Sequence, residues 1–139
     1  MLETAVALDQ RMIQFVLPSI FESVRIARFH VRAALSFHRL NEYADDAEII
    51  TSELVTNAIQ HVAQDPAETI GVTVARVWYP VAVAVIVSDS STEGPIRREA
   101  SATSERGRGL EIVEALSVHW GWHPEPDGKA IFAVIARED

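Results

Sequence analysis

Glu53, Asn57 and His61 stand four residues apart in the run DDAEIITSELVTNAIQHV, which spans Asp45 to Val62. At helical pitch that spacing puts all three side chains in one row. A Glu can take a proton, and an Asn amide oxygen can ligate a hard cation without adding charge. The same row would serve equally as the polar margin of an ordinary helix, with His61 a packing or hydrogen-bonding residue. Asp89 is a second candidate, at the end of an apolar run. A carboxylate there can accept a hydrogen bond from an exocyclic amine such as that of adenine, or it can cap the following turn. The third is Gly107-Arg108-Gly109-Leu110, just ahead of a helical pattern. Glycines let a ligand approach the backbone, and a helix N-terminus offers free N–H groups to an anion such as a phosphate. It is not a dinucleotide fingerprint, because Ile112 stands where the third glycine would be. Gly128-Lys129-Ala130 is not a P-loop, since it lacks the upstream glycine and the Ser/Thr, and a strand follows it.

The elements that must hold these residues can be read from periodicity. Ala47, Ile50, Leu54, Ala58 and Val62 form one apolar arc, which predicts a core-packed helix over Asp45–Val62. Asp45 and Glu48 give it a capping-box-like start. Upstream, residues 1–11 read as a loose lead-in and Met12–Leu17 as a short strand ended by Pro18. Ser19 then reads as the N-cap of a helix, with Glu22 completing the box. That helix runs to about Arg39 on a stripe of Val24, Ala27, Val31, Ala34 and Leu35.

Gln64–Thr69, with Pro66, reads as a turn, and Ile70–Trp78 and Val81–Ser88 as strands separated by Tyr79-Pro80. The second of these is apolar on both faces, the pattern of a central strand. Residues 90–106 have almost no large apolar side chains and read as a long surface loop, a length usually tied to function. A short helix at about Arg108–Leu116, with Leu110, Val113 and Leu116 inward, precedes a hairpin of Val118–His123 and Ala130–Ala136 around Pro124–Gly128. The order β-α-α-β-β-loop-α-β-β predicts an α/β class, a two-layer sandwich with a mostly antiparallel mixed sheet and helices on one face.

With 139 residues the chain is expected to form one domain, 1–139, and 48% hydrophobic against 23% charged residues is a globular composition. The net charge of −8 argues against non-specific nucleic-acid binding. Without cysteine there are no disulfides, thiolate metal sites or cysteine nucleophiles, and Lys129 is the sole lysine. No apolar run reaches the length of a membrane span, and acidic Glu3 and Asp9 near the start do not fit a secretory signal, so a cytoplasmic protein is expected.

Taken together, E-L-V-T-N-A-x-x-H, a strand ending in Asp89, a long polar loop and G-R-G-L on a helix resemble the GHKL ATP-binding family. That family includes gyrase, the heat-shock chaperone, histidine kinases and anti-sigma-factor serine kinases. The resemblance points in particular to the small stand-alone anti-sigma-factor serine/threonine kinases of actinobacteria. It extends over nearly the whole chain, from LPS…SVRIARFHVRAAL through V-S-D-S-S to W-G…D-G-K-A-I-F.

Residue by residue, the resemblance implies that Asn57 ligates the Mg²⁺ on the ATP phosphates and that Glu53 is the general base for an attacking hydroxyl. It also implies that Asp89 binds the adenine amine, that Gly107, Arg108, Gly109 and Leu110 border the nucleotide, and that residues 90–106 are the lid. Arg106 is a second candidate phosphate contact. The implied cofactors are ATP and Mg²⁺. The implied partners are a sigma factor, its antagonist protein, which would be phosphorylated in a partner switch, and a second copy of the chain, with no direct nucleic-acid or membrane partner. The chain departs from the family in two places. Ser91 and Glu93 replace the glycines of D-x-G-x-G, and Ala130 stands where relatives often carry Thr. A protein-binding module in which nucleotide is only structural, or is not bound, is the alternative. A histidine kinase is less expected, because the length leaves no room for a phosphoacceptor helical domain.

Overall fold

The computed structural model describes residues 8–62, 64–77, 81–92 and 109–136. Five strands, β1 (Leu8–Ser19), β2 (Asp65–Val77), β3 (Ala82–Asp89), β4 (His119–Glu125) and β5 (Gly128–Ala136), form one sheet in the order β1-β2-β3-β5-β4. Every described ladder is antiparallel. Three helices, α1 (Glu22–Phe37), α2 (Ala44–Val62) and α3 (Gly109–Leu116), join one face of it to make the predicted α/β sandwich.

The core lies between the layers. Ala27, Val31 and Leu35 from α1, Ile50, Leu54 and Ala58 from α2, and Leu110 and Val113 from α3 meet the inward side chains of β2, β3 and β5. Alternation on those strands sends Val72, Val74, Val83, Val85, Val87, Ile131 and Ala133 to that side. On the opposite face a smaller cluster of Val77, Ala82 and Ala84 packs with Val134 and Ala136. β3 is the central strand, as its two-sided apolar pattern requires, and its end delivers Asp89 to the edge of the core.

Several boundaries differ from expectation. β1 begins at Leu8, inside the supposed lead-in, and continues through Pro18, which is tolerated because β1 is an edge strand. Ser19 therefore belongs to β1 and does not cap α1. Phe21 is the N-cap residue, with no side-chain cap, and its N–H donates to Gln64 Oε1 at 3.1 Å. The Ser23 hydroxyl takes up the neighbouring Pro18 carbonyl at 2.7 Å. α1 stops at Phe37, where Leu40 N–H returns to the Leu35 carbonyl and Arg39 turns left-handed with φ 61°.

Asp45 and Glu48 ion-pair with Arg32 across the α1–α2 contact. Gln64–Thr69 is not a free turn: β2 already starts at Asp65, whose carboxylate caps the Ala67 N–H at 2.9 Å. Beyond Thr92 the expected 90–106 loop lies outside the described residues, as do Arg106, Gly107 and Arg108.

Candidate functional site

α2 runs against β3, with α1 on one flank and α3 on the other. Its buried arc fixes its rotation, and that rotation leaves the Glu53–Asn57–His61 row half-buried at the margin, as the spacing predicts. Burial pushes the Glu53 carboxyl above the usual carboxylate range. The carboxylate lies against the start of α3: a Cβ placed on Gly109 would stand 2.9 Å from Glu53 Oε1. The structure thus brings the candidate base to the helix whose first N–H groups have no partner within the helix. A side chain at position 109 would therefore press on the end of Glu53.

One turn along α2, Asn57 Oδ1 is buried and has no hydrogen-bond partner among the described residues. Such an atom is costly to leave unpaired, and a neutral amide oxygen suits a hard divalent cation or a water bound to one. This is the observation by which the residues present fit Mg²⁺. Among the described residues no cluster of three or more His, Asp, Glu or Cys side chains forms a metal site without such help. Leu110 sends its side chain into the core at 4% exposure, so only its backbone is available to a ligand.

Asp89 has a surrounding that its sequence position did not disclose. Its carboxylate is bridged by Lys129, with Nζ donating to Oδ1 at 2.9 Å and to Oδ2 at 2.8 Å. Ser91 N–H also donates to Oδ1 at 2.8 Å, so the turn-capping role is present as well. The two side chains are 0% and 1% exposed. Asp89 and Lys129 are the last matched pair of the β3–β5 ladder, which brings together residues forty positions apart. Gly128 lets the β4–β5 turn close over them, because a Cβ there would fall 1.8 Å from the Asp89 carbonyl oxygen. A lone lysine after a turn glycine, at the head of an otherwise apolar strand, was the available signal.

Beside Asp89 an open cleft of about 480 Å³ is lined by His61 and Val62 from α2, Asp65 and Glu68 from β2, and Ser90–Thr92. Ser90 Oγ donates to Glu68 Oε1 at 2.7 Å across it. No described helix is long and apolar enough to cross a membrane.

A half-buried carboxylate, an unpaired amide oxygen and a helix N-terminus, grouped at the end of an antiparallel α/β sandwich, define a site suited to a phosphorylated ligand with its cation. The sequence matches the histidine kinase-like ATPase domain over residues 17–135, and the chain belongs to that family. Its fold is similar to that in the crystal structure of the RsbU and RsbW domains of Rv1364c from Mycobacterium tuberculosis, with a TM-score of 0.60 and 17% sequence identity. That similarity covers 88% of this chain and 31% of the other, so the chain spans about a third of that protein's length. No curated protein sequence matches it.

Proposed function

We propose that the protein is an ATP-binding anti-sigma-factor-type regulator with serine/threonine kinase activity on a small antagonist protein. The observation that carries this is the pairing on one helix of an unpartnered, buried amide oxygen with a half-buried carboxylate against the α3 N-terminus. In this reading Asp89 accepts from the adenine amine, and the backbone N–H groups at the start of α3 meet phosphate oxygens, with Gly107 and Arg108 beside them. Asn57 Oδ1 would hold Mg²⁺, which when bound neutralises charge on the phosphates.

Glu53 takes the proton from the antagonist's serine or threonine hydroxyl. That oxygen bonds to the γ-phosphorus as the bond to the ADP oxygen breaks. The raised affinity of Glu53 for a proton, caused by burial, makes it a better base near neutral pH than an exposed carboxylate. One domain over residues 1–139, a cytoplasmic setting, and a sigma factor, antagonist and second copy of the chain as partners complete the reading. The motif resemblance and the similarity to a structure containing an RsbW domain support it.

The competing reading is a binding module that takes no nucleotide, and it is favoured by one observation: Lys129 and Ser91 already engage Asp89. Calorimetry with millimolar Mg·ATP decides between them. Binding that requires Mg²⁺, with a matching rise in Tm, is expected of the ATPase reading. Absence of both leaves the binding module.

A further inference from the structure

The buried Asp89–Lys129 pair has no part in the phosphoryl transfer proposed above. Lys129 is nonetheless the sole lysine of the chain, fully enclosed, with its charge against the carboxylate that the reading above assigns to the adenine amine. A carboxylate offers about four lone-pair positions. Three are taken here: Oδ1 accepts from Lys129 Nζ and from Ser91 N–H, and Oδ2 accepts from Lys129 Nζ. One position remains, on Oδ2.

That count bears on which base can bind. The guanine edge carries two adjacent donors, N1–H and the 2-amino group, which pair best with both oxygens of a free carboxylate. Adenine presents a single exocyclic amine beside the N1 acceptor, and it needs only one acceptor position. The geometry points to Lys129 as a specificity-determining residue. By occupying one lone pair on each Asp89 oxygen, beside the Ser91 N–H on Oδ1, it leaves a single acceptor that suits adenine and refuses guanine. This rests on the nucleotide reading above and goes beyond it by assigning base choice to a side chain that never touches the base.

The test compares Mg·ATP and Mg·GTP binding by calorimetry in the wild type, Lys129→Met and Lys129→Gln. The wild type should prefer ATP by at least about 10-fold, the scale of one hydrogen bond to a charged group. Lys129→Met opens a lone pair on each oxygen, with Ser91 N–H still on Oδ1, so the preference should fall by about 10-fold or more, chiefly through tighter GTP binding. Lys129→Gln keeps one donor and should lie between. An unchanged ATP:GTP ratio in either folded variant overturns the assignment while leaving ATP binding intact. Absence of ATP binding in the wild type removes the nucleotide reading, and this inference with it.

A measurement on the unaltered protein covers the case in which neither variant folds. The Lys129 ammonium should give a protected NMR signal that persists when Mg·ATP is added, because the pair must stay closed around the base. Its loss on ATP binding would show that adenine displaces the lysine and would overturn the assignment.

Discussion

The carboxylate of Glu53 faces Gly109 so closely that a Cβ built there would sit 2.9 Å from Oε1. The contact ties the helix bearing the proposed base to the helix at the proposed phosphate end. Gly109→Ala should therefore displace the end of the flexible Glu53 side chain and leave the core alone. We expect Tm within a degree or two of wild type and phosphotransfer slowed by about 10- to 100-fold, the scale of a misplacement near 1 Å. Equal transfer rates for the two proteins would show that this contact does not position the base.

Glu53 and Asn57 should fail differently. Asn57→Ala should abolish the Mg²⁺ dependence of nucleotide binding, and any phosphotransfer with it. Glu53→Ala should still bind Mg·ATP while transfer slows by about 10²–10⁴-fold, the usual worth of a general base. Calorimetry and single-turnover phosphorylation of an antagonist separate the two. If both variants instead lost stability with binding untouched, the row would be structural.

The burial of Glu53 also sets a pH dependence of stability. Its folded-state affinity for a proton is raised, so between the unfolded and folded values the native state holds more protons than the unfolded chain. Stability from this group is full below the unfolded value and is lost as pH rises through the folded one. Glu53→Gln carries no such cost and should melt above wild type at pH 8, with the gap closing below about pH 4. Thermal melts across that range check the sign, and a variant that melted below wild type at pH 8 would contradict it.

What the sequence disclosed was set by how far each signal reaches along the chain. The Glu53–Asn57 row and the central strand ending in Asp89 rest on periodicity within a few residues, and both stand as read. β1 was underestimated because an edge strand with exposed Val16 and a proline lacks the two-sided apolar pattern of a buried one. Ser19 looked like a helix cap because its type fits, but pairing with β2 claims its backbone instead. Lys129 went unassigned for a different reason. Its partner lies forty positions away, and only the β3–β5 register brings the two together.

That register makes Asp89→Asn a test of the buried pair. The substitution leaves the Lys129 charge buried without a counter-charge, a situation that typically costs about 3–5 kcal/mol. Chemical denaturation should show a loss of that order, most of it restored in Asp89→Asn combined with Lys129→Met. A single variant as stable as wild type would mean that the pair is not buried in solution.

Gly128→Ala should act on the same corner through sterics alone. A methyl group there would overlap the Asp89 carbonyl and come within 2.8 Å of Ser90 Cα, both backbone atoms that cannot swing away. The β4–β5 turn would have to lift, at about 1–3 kcal/mol by analogy with overpacked cores. Denaturant midpoints measure the loss, and a variant with an unshifted midpoint would show that the turn has slack.

The two anchors just described have a consequence for how such a chain can vary. One lies at a strand end, where Lys129 holds Asp89, and the other at the first residue of a helix, where Gly109 faces Glu53. The entropy of closing a flexible loop grows only logarithmically, so even doubling its length costs about 0.6 kcal/mol. A change in the number of residues in a flexible connection between two such fixed points therefore carries little entropic cost. Sequence between the two points can drift while the strand order and the helix row stay as they are.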